Sequence, residues 1–503
     1  MTQHSINTAK QSSTQHNKPT HIPFFFSSIF ITMILFSTLS QLQTLLCTFF
    51  FFFFFISLSL SQDQPPIDPV EQKALYAVLN SLNPTIPWTT DYPDDLCLSA
   101  PHGVVCDYYP SDGENGQNQQ QKAHIVELNF GYVSDETPNP PCSPNATLNS
   151  LLFTSFTYLQ KLFFYKCFNN TRNPIHLTSL PSLPPSLQEL VFIQNPSVFS
   201  PIEPFLRNLT SLRRLVLIGN AFHGELPFNI GDYANFEELT LSTNNLSGTI
   251  PASLGMLKKL KILDLSQNGF TGCVPEQVGN LTSLLKLDLS YNGFECKIPE
   301  SFTHLQNMKF LDLSFNLFGN FGVPLFLGEI TSLKEVYLTG NFLSGKIPEI
   351  WEKLGGVEKI GFSKMGLLGK IPVSMGIYLK NLSYLGLDNN QLDGSVPEEF
   401  GLLEFANEIN LENNNLSGRI SLPSRVEQKF KLAGNIGLCL GNNASCSSQN
   451  GESLGQLNPY KITDILSDDD DVLFSGDSLL HFDPLMLVLV LVGWFLLIFT
   501  WDG

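Results

Sequence analysis

Positive charge is scarce in this sequence. Its 503 residues hold 28 Lys and Arg against 46 Asp and Glu, a formal net charge of −18 at pH 7. A surface of that sign does not neutralise phosphates, which argues against nucleic acid as a partner. Histidine is thin and scattered: His102, His124, His176, His223, His304 and His481 have no Cys, Asp or Glu at metal-ligand spacing. A Gly-rich phosphate loop and the kinase signature motifs are both missing. The reading is therefore of a protein that is not an enzyme and needs no cofactor or metal, ending before a cytoplasmic domain begins.

The hydrophobic fraction of 43% is inflated by the two ends of the chain. Phe49 to Phe55 is a run of Phe in an apolar stretch that ends near Leu60, with Lys10 and Lys18 ahead of it and SQDQPPIDP behind. That layout predicts a secretory signal over residues 1–61, cut near Ser61 or Gln62; Met33 is an alternative start, and an uncleaved membrane helix is the competing reading. Near the other end, Asp468 to Asp471 is a run of four acids in a solvated linker spanning 447–476. PLMLVLVLVGWFLLIFTW then runs from Pro484 to Trp501 with no Lys or Arg after it. Small residues Ser475 and Gly476 stand before it, so 477–503 reads as a glycolipid (GPI) anchor signal or as a single membrane span.

Of nine Cys, Cys47 falls in the expected signal, which leaves four close pairs: Cys97/Cys106, Cys142/Cys167, Cys273/Cys296 and Cys439/Cys446. Such spacing in an exported chain favours local bridges, although sequence does not fix connectivity. Asn145, Asn169, Asn208, Asn245, Asn280, Asn381, Asn415 and Asn443 all begin Asn-x-Ser/Thr and are expected glycan acceptors.

The body of the chain repeats itself. Anchors at Leu212, Phe236, Leu260, Leu284, Met308, Leu333, Val357, Leu382 and Ala406 are 24 or 25 residues apart. Apolar residues recur three and five places after each anchor, followed by an Asn at Asn220, Asn244, Asn268, Asn292, Asn316, Asn341, Asn390 and Asn414. Less regular units begin at Leu159 and Leu187, and IVELNF at Ile125 to Phe130 is a candidate opening strand. Alternating apolar positions put two side chains on one face of a short strand. One such strand cannot bury its apolar edge, whereas a neighbour one coil away covers it, so the pattern predicts a solenoid with a parallel sheet. The Asn is expected to face inward and satisfy backbone groups of the turn. Two units depart from the rule. The coil at Met308 has an extra residue around GNFGVP, expected to bulge its convex side, and the coil at Val357 has Met365 where the Asn belongs.

The phrase LKILDLSQNGFTGCVPEQVGNL resembles the plant extracellular leucine-rich repeat. That resemblance implies a leucine-rich-repeat solenoid, an α/β-type superhelix of plant-specific 24-residue repeats with disulfide-closed caps, whose Gly-x-Ile-Pro segments form a second short strand. PWTTDYPDDLCLSAPHGVVC resembles the N-terminal cap, with Trp88 as its plug and Cys97/Cys106 as its clasp. FKLAGNIGLCLGNNASC resembles the C-terminal cap closed by Cys439 and Cys446. The segment CSPNATLNSLLFTSFTYLQKLFFYKCF is similar to receptor-like proteins of the Piriformospora indica-insensitive and too-many-mouths type. The implied division is an N-terminal cap over 62–130, divergent first repeats over 131–186, regular repeats over 187–425 and a C-terminal cap over 426–446. On adjacent coils Cys273 and Cys296 would bring their α carbons to about 6 Å, within disulfide range unless the side chains face opposite ways.

A solenoid offers outward residues of successive strands for binding. The expected contact positions are Asp264, Asp288 and Asp312, stacked like charges that a cationic partner would relieve, together with Tyr337, Arg213 and Arg214. The same residues also read as ordinary repeat wording. The resemblance implies leucine-rich-repeat receptor kinases and a peptide or microbial ligand as partners, with the chain passing through the secretory pathway to the extracellular face of the plasma membrane. An apoplastic inhibitor of microbial cell-wall-degrading enzymes is the second reading.

Overall fold

The structure is a computed structural model, describing residues 65–98, 103–110, 121–131, 140–170, 173–177, 183–207, 209–420, 423 and 427–440. The expected signal, the acidic linker, the tail with Ser475 and Gly476, and Asn208, Asn443 and Cys446 lie outside the described residues. The chain forms two compact units, one running to Met308 and the other starting at Lys309.

The first unit opens with helix α1 (Pro69–Leu82). Asp68 caps it by accepting the Val70 N–H, and the proline beside it needs no helical donor partner. Ala74, Leu75, Val78, Leu79 and Leu82 recur at helical spacing and are buried. Trp88 is buried after the helix, its indole N–H donating to the Asn83 carbonyl at 3.0 Å. Cys97 and Cys106 are bonded, which ties this segment to the strand Val104–Pro110. That strand pairs antiparallel with Gln121–Phe130, which does open the stack by pairing parallel with Lys161–Tyr165. The parallel ladder continues through Glu189–Ile193, Arg214–Ile218, Glu238–Thr240, Ile262–Asp264 and Lys286–Asp288. In the second unit the corresponding strands are Phe310–Asp312, Glu335–Tyr337, Lys359–Gly361, Tyr384–Gly386, Glu408–Asn410 and Phe430–Lys431.

The repeat pattern translates directly into packing. Leu260, Leu263 and Leu265 of one coil have no exposed surface, and neither do Leu284, Leu287 and Leu289 of the next. Each fully buried Leu contributes roughly 2 kcal/mol of transfer free energy, which an isolated coil would forfeit. Pro251, Pro275 and Pro299 start short 3-10 turns on the side opposite the strands. Most of the second strands lie in the residues leading into the Ile-Pro or Val-Pro pairs and stop short of the prolines, and together they form sheets that are five-stranded in the first unit (Phe199 to Glu295) and four-stranded in the second (Leu368 to Leu440).

The inward Asn ladder is present. Asn268 donates to the carbonyls of Leu241, Leu265 and Ser266 at 2.9–3.2 Å and accepts the Leu246 N–H at 3.0 Å. Asn195 and Asn435 extend the ladder beyond the positions read from sequence. Met365 fills its rung with a buried thioether, and the next rung compensates: Asn390 accepts the N–H groups of both Met365 and Leu367, each at 3.0 Å.

The extra residue of the coil at Met308 lies in GNFGVP as read, but its effect is not the expected convex bulge. It precedes Pro324, on the flank, where Gly319 and Gly322 replace the second strand instead of bulging the convex side. A parallel strand needs a partner, so the next coil keeps only an isolated bridge, Gly345 to Leu367. A single added residue in the coil at Val357 is absorbed on the convex side, in the α-helical turn Val373–Tyr378.

Cys142–Cys167 and Cys273–Cys296 are both bonded, with Cα separations of 4.8 and 5.4 Å. Cys296 has φ +69°, the left-handed position that Gly248 and Gly272 occupy in earlier coils. Cys439 lies in the strand Gly437–Leu440, and its expected bond to Cys446 falls outside the described residues.

Candidate functional site on the strand face

The register of the parallel sheet decides what its outer face can do. In the first unit it aligns Glu127, Lys161, Glu189, Arg214 and Glu238 in one column of alternating sign. Lys161 lies 3.5 Å from Glu127 and 3.9 Å from Glu189, and Arg214 lies 3.5 Å from Glu189 and 2.7 Å from Glu238. Beside it Glu237 is held by Arg213 at 2.6 Å and by Lys261 at 2.9 Å. Hydrogen bonds from Lys261 and Arg213 hold the Glu237 carboxyl below its ordinary pKa. Arg213 and Arg214 therefore each already have a carboxylate within the chain. Gln188, Ser211, Arg213, Asn235, Glu237 and Lys259 line a shallow cavity of about 330 Å³ at this edge.

The aspartate column has its own cation. Asp264 and Asp288 are register partners, and Lys286 reaches them at 2.9 and 3.7 Å. Burial alone would weaken the Lys286 ammonium; Asp264, by charge and hydrogen bond, and then Asp288 outweigh it and hold its pKa above the usual lysine value. Each Asp also accepts the N–H and hydroxyl of the Ser two residues on, Ser266 and Ser290. An external cation is therefore not required to relieve these two charges. The sequence signal for this was Lys286 itself, two residues before Asp288 on the same strand face.

In the second unit Asp312 accepts the Ser314 N–H at 2.8 Å. Tyr337 donates to Glu335 at 2.8 Å and leans over Gly361, where an added Cβ would meet its ring at 2.7 Å. Burial, followed by the Glu335 hydrogen bond, pushes the Tyr337 hydroxyl far above its ordinary pKa, so it stays a donor. Lys359 completes the set at 3.4 Å from Glu335.

Apolar residues occupy much of the remaining face in the first unit. Phe163, Tyr165, Ile193 and Ile218 point outward and are half-buried, and Val191 and Val216 lie between them. Six of the expected glycan acceptors, Asn145, Asn169, Asn245, Asn280, Asn381 and Asn415, are exposed, and none of them lies on these strands. Among the described residues no group of His, Cys, Asp and Glu is placed to hold a metal, and no helix is long and apolar enough to cross a membrane. What remains on this face is a strip of outward apolar residues beside charges that are paired within the chain.

The coils, the asparagine ladder and the second sheets define a leucine-rich-repeat solenoid of the plant-specific type. Family models described as leucine-rich repeat match residues 234–294, 258–318, 332–354 and 381–403. The chain is similar to plant receptor-like proteins. It is 32% identical over 197 residues to Protein TOO MANY MOUTHS of Arabidopsis thaliana, covering 38% of this chain and 36% of that protein. To Piriformospora indica-insensitive protein 2 of the same plant it is 30% identical over 161 residues, 32% of this chain and 35% of that one. The match therefore spans about a third of the length of these relatives. Among solved structures, the Arabidopsis receptor kinase HAESA in complex with the peptide hormone IDA and the co-receptor SERK1 has a TM-score of 0.54 at 25% identity, covering 74% of this chain and 58% of that one. The PEPR1–AtPEP1 structure has a TM-score of 0.52 at 25% identity, covering 74% and 52%.

Proposed function

We propose that this chain is a kinase-less receptor-like protein of the plant cell surface. Through its strand face it binds a ligand, receptor kinases or both, and a kinase partner supplies the intracellular output. The observation that carries this reading is the outward apolar strip Phe163, Tyr165, Ile193 and Ile218 beside charges already neutralised within the chain. Such a face does not call for a charged ligand, because its ion pairs are already made within the chain and the apolar strip is left to seat an apolar segment. The similarity to receptor-like proteins, and to a receptor kinase solved with a peptide hormone and a co-receptor, supports the same direction. Delivery by a leader over 1–61, glycosylation at the exposed sequons and membrane attachment through the tail, with Ser475 or Gly476 as anchor site, complete the proposal.

The test is purification of the full chain, with its bound membrane proteins, from plant cells, alongside a variant carrying Ile193→Asp and Ile218→Asp. Receptor kinases should be recovered with the parent chain and lost with the variant. Recovery only as free protein in apoplastic fluid that inhibits a microbial polygalacturonase would overturn the reading in favour of the inhibitor. Phospholipase treatment of intact cells separates the two forms of attachment, since only a glycolipid-anchored chain is released.

A further inference from the structure

The flank of the second unit carries a surface that the strand face does not explain. Where the coils at Met308 and Leu333 lack a second strand, three large apolar side chains face solvent, Leu317 at 50% exposed, Phe321 at 61% and Phe342 at 63%, and Leu368, 42% exposed, opens the second strand of the coil that follows. Leu317 and Phe342 neighbour one another across two coils, and Leu368 stands on the third, next to the Gly345–Leu367 bridge. The Phe342 N–H donates to the Phe318 carbonyl, next to Leu317, at 3.0 Å, and the Leu368 N–H donates to the Gly345 carbonyl at 2.9 Å. Single exposed apolar residues are ordinary, but a run across adjacent coils marks an interaction surface.

Cations border the same run. Lys346 and Lys370 stand one coil apart with their stems lying across Gly369 and Gly394, where an added Cβ would come within 3.3 and 3.1 Å of lysine Cγ. Lys364 is exposed in the same coil as Lys370, at the turn preceding Met365. Elsewhere in this unit Lys334, Lys353, Lys359 and Lys431 each pair with a glutamate, and Lys380 and Lys429 donate to backbone carbonyls. Lys346, Lys364 and Lys370 have no ion pair among the described residues, and Asp393, the register partner of Lys370, makes none with it. In a chain of net charge −18, two exposed lysines on adjacent coils that make no ion pair are a local exception, even with Asp393 in register beside Lys370.

We infer that this flank docks a protein segment that is both apolar and acidic, an extended stretch alternating large apolar side chains with Asp or Glu. Its apolar groups cover Leu317, Phe342 and Leu368, and its carboxylates meet Lys346 and Lys370. A polyuronate would satisfy the lysines yet leave the Phe and Leu side chains in water, so a protein segment fits better. The sequon at Asn415 occupies the Phe342 position of its coil, three coils further on, and leaves the patch itself uncovered. The inference concerns the flank alone and does not depend on which ligand the strand face takes.

The probes are fluorescent synthetic peptides that alternate Phe or Leu with Glu, a counterpart with Lys in place of Glu, and an oligogalacturonate, each titrated into the full chain. The acidic peptide should bind, more weakly at high salt, and affinity should fall about tenfold or more in Lys346→Glu/Lys370→Glu and again in Phe342→Ser. These positions are exposed, so unchanged circular dichroism and melting verify the fold. Equal binding of the Lys peptide, indifference to all of these variants, or oligogalacturonate binding that ignores Phe342→Ser would each overturn the inference. Concentration-dependent self-association abolished by Phe342→Ser would also overturn it, by making a second copy the occupant.

Discussion

Replacing Asn390 with alanine should cost more than the same change at Asn268, although the two occupy the same place in their coils. The difference follows from the neighbouring rungs. At Asn268 the Leu241 carbonyl is also reached by Asn244, and the Leu265 carbonyl by Asn292. Asn268→Ala therefore strands one donor, the Leu246 N–H. Asn390 follows the rung held by Met365, whose side chain has no amide to share the load. Asn390→Ala strands the Phe362 carbonyl and the N–H groups of Met365 and Leu367 together. A buried polar group left without a partner costs about 1–3 kcal/mol. The expectation is about 1–3 kcal/mol for Asn268→Ala and, taking the low end for three groups, about 3–5 kcal/mol for Asn390→Ala. Urea unfolding of both variants supplies the comparison, and hydrogen exchange resolved by coil should place the loss of protection in the coils at Val357 and Leu382. Equal costs, or a smaller one at Asn390, would refute the idea that the ladder is a chain of shared hydrogen bonds.

Lys286→Met should destabilise by about 1 kcal/mol, since a partly exposed pair is screened, and adding Asp264→Asn should recover about half of that in a double-mutant cycle. Glu71 is buried in the N-terminal cap, where it accepts the Ile125 N–H at 2.7 Å and meets His124 at 2.8 Å. Burial raises its pKa above the ordinary 4.5 despite those hydrogen bonds, so its contribution is complete below that value and is lost as pH rises through the raised one. Melting of the chain followed from pH 4 to 7 should show that decline, and Glu71→Gln should flatten it. Opening Cys273–Cys296 should cost about 3 kcal/mol, and Cys273→Ala with Cys296→Gly should be about 1 kcal/mol more stable than with Cys296→Ala, because only glycine accepts φ +69° without strain. Paired urea titrations measure both.

Much of this architecture was legible because the repeat is a packing rule written in sequence. Leu260, Leu263 and Leu265 show their strand spacing and their burial together, and the Asn three places after Leu265 shows the turn. Asn195 escaped because the coil at Leu187 follows it with Pro-Ser instead of the usual Leu-x-Gly. Asn435 escaped because it stands 21 residues after Asn414, off the period. The charge ladder from Glu127 to Glu238 was hidden for a different reason. Its members are 24 to 34 residues apart, and opposite signs become neighbours only when the coils are laid side by side in register. The acidic column misled for the same reason: Asp264 and Asp288 look like an unmet charge until Lys286 is seen on the adjoining strand position. The lost second strand at Leu333 was illegible because its own Gly-Lys-Ile-Pro is regular, and the fault lies in the coil before it.

The most direct test of the coil-on-coil register is disulfide mapping of the unreduced chain by peptide mass spectrometry. Cys97–Cys106, Cys142–Cys167 and Cys273–Cys296 should each appear as a linked pair. Cys273 and Cys296 are 23 residues apart and meet only if two coils lie flush, so free thiols at these positions or a link to any other cysteine would contradict the stacking described here.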